Sequence, residues 1–483
     1  MTRRNIGSGG MGDPRVRRSV GVFGLASLLV ALAAVWIDPA ASARTVVNPA
    51  GPVLTVRRAP SVVRVALGRQ NLAKALDLVM ADAEFAPARA ASCLHVVVDG
   101  GTVYGDGADR AVTPASTLKV LTTATVLSLM APGTRFTTEV RTAGPPTGGT
   151  VAGDLWIVGG GDPLLETADY TRTQDHLPDV ATKLEELADR VVAAGVTRIE
   201  GRVVGDDRRY DDVRFLSTWK RAYLASGEVG PIGALSVNDN FTVRSASGRR
   251  TGSANPARDA AAEFAGLLTE RGVTIAGEPA GTGKGPQAIS AEAPAVVVAT
   301  IDSVPIEQVV QEVLVFSDNT AAEMLVKEAG FRSTNAPGTW VSGSAAIGAM
   351  VAARSSGKVA TVDGSGLDRS DRVTCAVLTD VLSEEPAAGA LESGLPVMGR
   401  TGTLRKRLRG DPAAGHVRAK TGSLNGVSSL AGFADTRSGA RAVFAFVANN
   451  LSSTATGVRL GNLISQQLVG FPEAPDVAQL GLP

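Results

Sequence analysis

Three short motifs contain the residue types that a serine acyl-transfer site requires. Ser116-Thr117-Leu118-Lys119 places a hydroxyl and an amine three residues apart, Ser317-Asp318-Asn319 adds a hydroxyl and a carboxamide, and Lys420-Thr421-Gly422 adds a second amine. A serine hydroxyl is a poor nucleophile until a neighbouring base accepts its proton. In this order, the motifs predict a serine nucleophile whose base is a lysine.

A lysine is the better candidate for the base because the histidines are few and poorly placed. The chain contains three, His95, His176 and His416, in a predicted strand, a polar linker and the start of a strand. No G-x-S-x-G elbow occurs, which argues against an α/β-hydrolase site. Residues at i and i+3 of a helix share a face, so Ser116 and Lys119 can hydrogen-bond.

A lysine acts as a base only when its amine is neutral. The free side chain has a pKa of about 10.4, so action near neutral pH needs a fall of roughly 3 units, about 4 kcal/mol. Burial, the start of a helix and a second cation all lower the pKa of an amine, and Lys420 is the candidate cation. N–H groups at the same helix start can stabilise a developing oxyanion.

Each motif has chance copies, which the surrounding pattern separates from the site. The copies and near matches are Ser217-Thr218-Trp219-Lys220, Ser236-Val237-Asn238, Ser423-Leu424-Asn425, and Arg-Thr-Gly at 250–252 and 400–402. Thr113, a candidate N-cap, and Pro114 precede Ser116 at the start of an apolar helix that runs to Met130. Ser217 opens no such helix and ranks second as a nucleophile.

The elements around the motifs predict an α+β fold. Strand patterns cover 93–98 and 102–104 before the first motif, and three consecutive antiparallel strands, 416–421, 427–433 and 442–447, surround the third. Helix patterns at 306–316 and 320–329 flank the second motif, and 454–468 forms a closing helix.

Residues 134–300 differ in character from the segments on either side. Short strands, two helix patterns and stretches rich in Gly, Pro and Ser alternate there. We predict a second α+β domain, 134–300, inserted into a catalytic domain made of 70–133 and 301–483. A helix is expected at 71–84, and residues 44–69 are predicted to be an extended lead-in.

Composition bounds the remaining choices. A chain of 483 residues holds about two to three domains. The net charge of +1 and the aromatic content of 4% argue against a nucleic-acid partner. Cys93 and Cys375 belong to no C-x-x-C pair, so two buried free thiols are favoured over a metal site or a disulfide. No pattern indicates a cofactor or an oligomeric state.

The N-terminus predicts export. Arg15, Arg17 and Arg18 precede an apolar run at 20–37, and Ala41-Ser42-Ala43 follows it as a cleavage pattern. The run is long for a signal core and slightly short for a span, so cleavage after the last alanine and retention as a membrane anchor both stay open. In either case the rest of the chain lies in the periplasmic or cell-wall space.

Five further stretches accompany the motifs in a consistent order. They are Pro114-Ala115-Ser116-Thr117-Leu118-Lys119, Gly159-Gly160-Gly161-Asp162-Pro163, Leu235-Ser236-Val237-Asn238-Asp239-Asn240, Asp363-Gly364-Ser365-Gly366-Leu367 and Gly402-Thr403-Leu404-Arg405. Over residues 70–470 the chain resembles the low-molecular-mass class C penicillin-binding proteins, the D-alanyl-D-alanine carboxypeptidase/endopeptidase family.

The resemblance implies a fold and a reaction. The fold is a transpeptidase domain like that of penicillin-binding proteins and β-lactamases, with a five-stranded antiparallel sheet, helices on both faces and a large insertion. The reaction is cleavage of D-Ala-D-Ala or D-amino cross-links of peptidoglycan stem peptides through acyl-Ser116, without metal or cofactor; β-lactams would acylate the same serine. Where family members often carry a third domain, this chain has only the short stretch 241–255, so that domain is expected to be absent or reduced to a hairpin.

The resemblance also implies catalytic roles for five residues. Ser116 is the acylated nucleophile and Lys119 is its base. Ser317 passes a proton to the leaving nitrogen, close to Lys420, which supplies positive charge. Asn319 orients the base and binds the substrate amide.

Neighbouring residues complete the implied substrate site. Thr421 would hold the terminal carboxylate, and Gly422 would let the substrate backbone lie against the strand. The N–H groups of Ser116 and Ser423 would form the oxyanion hole. Asp318 receives no direct role and fits a helix N-cap.

Other functions remain open at this point. A serine β-lactamase or esterase could use the same motifs, although a β-lactamase needs no insertion of this length, and a non-catalytic cell-wall binding protein could keep the fold. Near Trp219 the family tends to carry an acid that recognises a diamino acid, whereas this chain has Lys220-Arg221-Ala222-Tyr223. A basic run predicts a solvated face or, alternatively, a contact with carboxylates of an anionic polymer: Arg400, Arg405, Lys406, Arg407 and Arg409.

Overall fold

The computed structural model describes residues 59–244, 250–284, 288–386 and 389–471. The chain divides into a unit Met1–Ala59 and a unit Pro60–Pro483, and the description below concerns the second. The predicted export segment lies outside the described residues. Within them, no helix is both long and apolar enough to cross a membrane.

The described residues form both strands and helices, in runs of consecutive strands and consecutive helices as in an α+β protein. In chain order the strands are β1 (Cys93–Val98), β2 (Gly101–Asp106), β3 (Thr137–Thr142), β4 (Thr150–Val151), β5 (Leu155–Val158), β6 (Leu165–Glu166), β7 (Thr182–Lys183), β8 (Arg198–Ile199), β9 (Val203–Asp206), β10 (Phe241–Arg244), β11 (Arg250–Gly252), β12 (Thr274–Ile275), β13 (Ala280–Gly281), β14 (Val296–Asp302), β15 (Val417–Leu424), β16 (Val427–Asp435) and β17 (Arg441–Ala448).

The helices are distributed over both parts of the chain. They are α1 (Ala59–Met80), α2 (Ala86–Arg89), α3 (Leu118–Leu129), α4 (Ala168–Thr171), α5 (Leu184–Ala193), α6 (Ala222–Ser226), α7 (Pro256–Glu270), α8 (Ile306–Phe316), α9 (Asn319–Thr334), α10 (Trp340–Arg354), α11 (Cys375–Ser383), α12 (Ala390–Ser393) and α13 (Thr454–Gly470), with 3-10 turns at Ala115–Thr117 and Gly402–Leu404.

The catalytic part is built on a five-stranded antiparallel sheet in the order β15-β16-β17-β1-β2. Successive side chains of a strand point to opposite faces. Val443 and Val447 of β17 therefore pack in one core with α3 and the helices after it, whereas Phe444 and Phe446 pack on the other face with α1 and α13. Because both faces are covered, β17 is apolar from Ala442 to Ala448. The predicted sheet with helices on both faces is confirmed.

A disulfide joins Cys93 of β1 to Cys375 of α11, with 5.9 Å between the Cα atoms. The prediction of two free thiols is therefore wrong. The cysteines are 282 residues apart in sequence, and only the packing of α11 against β1 and β17 brings them together. No local pattern in the sequence encodes that contact.

Residues after α3 form a second sheet, in the order β13-β9-β5-β3-β14, with α5 and α7 packed in its core. Its last strand, β14, ends at Asp302 and leads directly to α8 and the second motif. The predicted hairpin is present as the antiparallel pair β10 and β11. The insertion thus returns the chain to the catalytic part beside the site.

Helix α1 begins at Ala59, so residues 59–69 are helical and not part of an extended lead-in. Pro60 suits the first turn of a helix. Leu72, Leu76 and Met80 form a buried face in the later part of α1, whereas Val63 and Val65 are exposed. The missing apolar periodicity before residue 70 explains why the sequence did not reveal this part of the helix.

Candidate active site

The first motif lies on a tight turn that leads into a buried helix. Ala115 adopts a left-handed conformation with φ of 50°, and the 3-10 turn Ala115–Thr117 runs straight into α3. This geometry leaves Ser116 partly exposed while the following turn of the helix is buried. Thr113 does not cap the helix as predicted. Its hydroxyl donates to the carbonyl of Arg369 instead of accepting from a helix N–H, and its backbone N–H donates to Asn449 Oδ1.

Lys119 is fully buried behind the nucleophile. Its Nζ donates to Ser116 Oγ at 3.2 Å, to Asn319 Oδ1 at 2.6 Å and to the Ser365 carbonyl at 2.8 Å. Burial is the largest influence on this amine and lowers the pKa of Lys119 to about 8, although buried carboxylates nearby act in the opposite direction. The position and the lowered pKa suit a base that serves Ser116.

The second motif interrupts two consecutive helices. Ser317 has φ of 64°, a left-handed conformation that costs energy for a non-glycine residue and separates α8 from α9. Asp318 caps α9 by accepting from the N–H of Ala321 at 3.0 Å, which confirms the predicted N-cap. Asn319, the first residue of α9, donates through Nδ2 to the Glu228 carbonyl at 2.7 Å. The side-chain amide of Asn319 is therefore held through both its oxygen and its nitrogen.

The third motif brings a second buried amine to the site. Lys420 Nζ donates to Ser317 Oγ at 2.8 Å and to the Thr421 carbonyl at 2.8 Å. Burial lowers the pKa of Lys420, and the charge of Lys119 acts in the same direction. Ser317 therefore bonds directly to an amine that can hold a proton or release it, as a proton shuttle requires.

Strand β15 forms an edge of the catalytic sheet. Up to Ala419 its outer side bonds to residues 396–398, but beyond that point no backbone partner occupies this side among the described residues. The Thr421 hydroxyl bonds to the Thr403 hydroxyl at 3.0 Å, and Ser423 is exposed. Unpaired N–H and C=O groups on an edge strand can accept an extended peptide as an additional strand.

Gly422 is needed for a contact that the sequence did not reveal. A Cβ atom there would lie 2.9 Å from both the Pro114 carbonyl oxygen and the Ser116 nitrogen, and 2.2 Å from Ser429 Oγ. The glycine therefore lets β15 approach the backbone of the nucleophile turn. The backbone of Ser116 and the residues after Gly422 are brought to the same place, as an oxyanion hole requires.

Sequence analysis missed a set of buried residues behind the lysine base. Glu323 and Asp363 are fully buried, and the loop 363–366 supplies the Ser365 carbonyl that accepts from Lys119. The resemblance to the family includes the stretch 363–367 but implies no role for it in the site. The available signal was an acid that interrupts the apolar run from Ala321 to Val326 in a predicted helix.

The competing motif copy does not form a site. Ser217 and Lys220 are both exposed and lie outside any helix, with no hydrogen bond between them among the described residues. Trp219 is instead buried, and its indole donates to Asp363 at 2.9 Å. In the basic run, Arg407 donates to Asn462 at 2.7 Å, and the remaining members are exposed.

Comparison with known protein families identifies relatives over most of the chain. The profile of the family described as D-Ala-D-Ala carboxypeptidase 3 (S13) matches residues 72–254 and 247–468. Carboxypeptidase DacB of Mycolicibacterium smegmatis is 30% identical over 454 residues, which cover 90% of this chain and 93% of that protein. The matched segments include all three motifs.

Solved structures show the same architecture. Penicillin binding protein 4 of Haemophilus influenzae aligns with a TM-score of 0.67 and 19% identity over 80% of this chain and 98% of that one. A second structure of that protein, complexed with a β-lactam, aligns with a TM-score of 0.57 and 19% identity over 78% of this chain and 95% of that one. At this identity the likeness establishes the fold.

Proposed function

The chain belongs to the D-Ala-D-Ala carboxypeptidase 3 (S13) family, and from that premise we propose that it is a serine D,D-carboxypeptidase and endopeptidase acting on peptidoglycan stem peptides, with Ser116 as the acylated nucleophile. The observation that carries this proposal is the convergence of the three motifs. Lys119 bonds to both Ser116 and Asn319, and Lys420 bonds to Ser317, although these residues come from four separate elements.

Acylation follows from the hydrogen bonds of Lys119. The neutral amine accepts the Ser116 proton while Oγ attacks the carbonyl carbon of the penultimate D-Ala. Backbone N–H groups of Ser116 and Ser423 stabilise the oxyanion that forms. The C–N bond then breaks, and the proton that Lys119 accepted is delivered to the leaving amine through Ser317, next to Lys420, which returns Lys119 to its neutral form. Water later attacks the ester, with Lys119 again as base, and releases the shortened peptide.

The substrate peptide lies along the free edge of β15 in this proposal. The Thr421 hydroxyl and the buried Lys420 charge hold the terminal carboxylate, as charge-assisted bonds would. Beyond the reacting bond, Lys220 and Arg221 are exposed where the family tends to carry an acid. The peptide side chain that reaches this position is therefore expected to tolerate or carry a carboxylate.

β-Lactams are proposed to acylate Ser116 because they offer a strained amide to the same nucleophile. A related protein, penicillin binding protein 4 of Haemophilus influenzae, has been solved in complex with a β-lactam. We also propose that the enzyme works outside the cytoplasmic membrane, either free after cleavage behind Ala43 or anchored through residues 20–37, since its substrate lies there.

The test is release of D-alanine from a peptide that ends in D-Ala-D-Ala. Ser116→Ala should lose at least about 1,000-fold in rate, because the acyl intermediate can no longer form. Ser217→Ala is the matched control from the competing motif copy and should keep the wild-type rate. Activity that survives Ser116→Ala, or rapid turnover of penicillin with no D-alanine release, would contradict the proposal.

A further inference from the structure

We propose that Glu323 is a positioning residue for the base: its buried carboxylate holds the loop 363–366 in place, and with it the Ser365 carbonyl that accepts from Lys119. This inference rests on the proposed role of Lys119 and deepens it. Glu323 lies on α9, one turn after Asn319, and contacts neither substrate nor nucleophile. It therefore acts on the reaction only through other residues.

Four hydrogen bonds fix the Glu323 carboxylate, and all of them come from N–H donors. Oε1 accepts from the backbone of Ser365 at 2.7 Å and of Gly364 at 3.2 Å. Oε2 accepts from Gly364 at 3.0 Å and from the Trp340 indole at 2.6 Å. A proton on either oxygen would face an N–H donor, so these hydrogen bonds favour the ionised form, whereas burial and the nearby Asp363 act against it and raise the pKa of Glu323 to about 8.

The loop held in this way presents a carbonyl to the base. Ser365, whose N–H donates to Glu323, accepts from Lys119 Nζ through its carbonyl oxygen at 2.8 Å. Gly364 makes the same kind of bridge one turn farther along α3, because its carbonyl accepts from Thr122 Oγ1 at 2.7 Å. The carboxylate, the loop and α3 thus form one continuous chain of hydrogen bonds.

Charges from every surrounding element act on the Lys119 amine. Carboxylates come from Glu323 on α9, Asp363 in the loop 363–366, Asp318 at the N-cap of α9 and Glu228 in the loop after α6, and each favours the charged amine. The opposing amine is Lys420 on β15. Glu323 has the largest effect among the carboxylates, while burial favours the neutral amine.

This balance explains why a deeply buried lysine can remain a proton carrier. Without these carboxylates, burial would lower the pKa of the amine further, and the amine would hold the proton that it takes from Ser116 less well. A fixed buried anion keeps its pKa within reach of neutral pH, which is where a general base works best. Trp340 and the loop in turn prevent the anion from moving towards the amine.

The experiment is the pH dependence of acylation by benzylpenicillin, measured as the second-order rate constant for the wild type and Glu323→Gln. The wild-type rate should rise with pH through the Lys119 pKa, about 8. Replacing the Glu323 carboxylate should shift the rising limb of the pH profile about one pH unit lower, even if the maximal rate at high pH, the plateau, also changes. A purely structural role would lower the plateau and leave the limb in place.

Two controls separate charge from packing. Glu328→Gln removes another buried carboxylate of α9, one that pairs with Arg209 and Arg332 and not with the loop, and should leave the limb unmoved. Glu323→Gln places an NH2 group against the Trp340 indole, so a double variant with Trp340→Phe relieves that conflict and carries the test if the single variant does not fold.

The outcomes are distinct. A limb that stays in place in folded Glu323 variants overturns this inference and leaves the proposed function intact. Loss of the fold in both variants also overturns it, because Glu323 would then serve the core alone. A wild-type profile with no limb near pH 8 would instead count against Lys119 as the base, and so against the mechanism proposed above.

Discussion

Two buried lysines divide the proton work of the site between them. Lys119 serves the nucleophile and Lys420 serves Ser317, and burial lowers the pKa of both amines. A charge on one amine disfavours a charge on the other, so each lysine holds a proton more easily when the other lysine is neutral. At the residue scale, the site is a pair of amines with separate hydroxyl partners.

The close approach of Gly422 to the nucleophile turn predicts the effect of a single methyl group. Gly422→Ala should slow penicillin acylation about 10- to 100-fold, because the Cβ would push against the Ser116 nitrogen and the Pro114 carbonyl and misplace an oxyanion donor. The measurement is the acylation rate of a fluorescent penicillin. Gly348→Ala, which has open space around its Cβ on α10, is the control and should react normally.

An unchanged rate in Gly422→Ala, with the protein folded, would mean that β15 can move away without affecting the site. A loss of rate that the control shares would point to general destabilisation. Only a selective loss fits the geometry.

At the scale of elements, a buried imidazole joins the insertion to α8. His176 donates to Glu166 Oε1 at 3.0 Å and to Glu312 Oε1 at 2.7 Å, and all three side chains are largely buried. Glu312 lies on α8, little more than one turn before Ser317. The insertion is thus fastened to the helix that ends at the second motif.

This ion-paired cluster predicts a pH-dependent contribution to stability. Burial by itself lowers the pKa of His176, but hydrogen bonds to Glu166 and Glu312 outweigh it and raise the value to about 10. A raised pKa in the folded state stabilises fully below the unfolded value of about 6.5 and is lost as pH rises through about 10. His176→Gln should therefore cost most at pH 6, and its deficit should shrink towards pH 10.

Denaturant unfolding across this pH range measures the deficit, with the exposed His416→Gln as control. A deficit for His176→Gln that grows with pH would show that the imidazole is buried uncharged. The stability difference between His416→Gln and the wild type should neither shrink nor grow in this way across the pH range.

Elements with local patterns could be predicted from sequence, whereas contacts between distant segments could not. Strands β1 and β15–β17 and helix α8 followed from apolar runs and turn residues, and the motif order predicted which residues meet. The role of Glu323 could not be predicted because its hydrogen-bond partners, Ser365 and Trp340, lie on other elements. The early part of α1 escaped because its exposed face carries no periodic signal.

At the scale of the whole molecule, the sheet that carries the third motif combines strands from two distant stretches of the chain, 93–106 and 417–448, and the second sheet lies between them in sequence. The disulfide from Cys93 to Cys375 links the first of these stretches to α11 across 282 residues of sequence. A cross-link of this kind restricts the unfolded chain and so favours the folded state. It also supports the expectation that the protein matures in an oxidising compartment.

Removing this cross-link should lower stability and spare the chemistry. The double variant Cys93→Ala and Cys375→Ala should lose about 2–4 kcal/mol of unfolding free energy and still be acylated by penicillin, since the hydrogen bonds that join the motifs involve neither cysteine. Equilibrium unfolding with and without reductant measures the loss. Reductant should destabilise the wild type and leave the variant unaffected; equal stability of the two proteins under oxidising conditions would show that the bond contributes nothing.

The most direct test of the central claim is intact-mass spectrometry after incubation with benzylpenicillin, followed by peptide mapping. The proposed mechanism predicts one penicilloyl adduct, carried by the peptide that contains Ser116 and absent from Ser116→Ala. An adduct on another serine, such as Ser217, or a protein that neither gains mass nor consumes the drug, would contradict it.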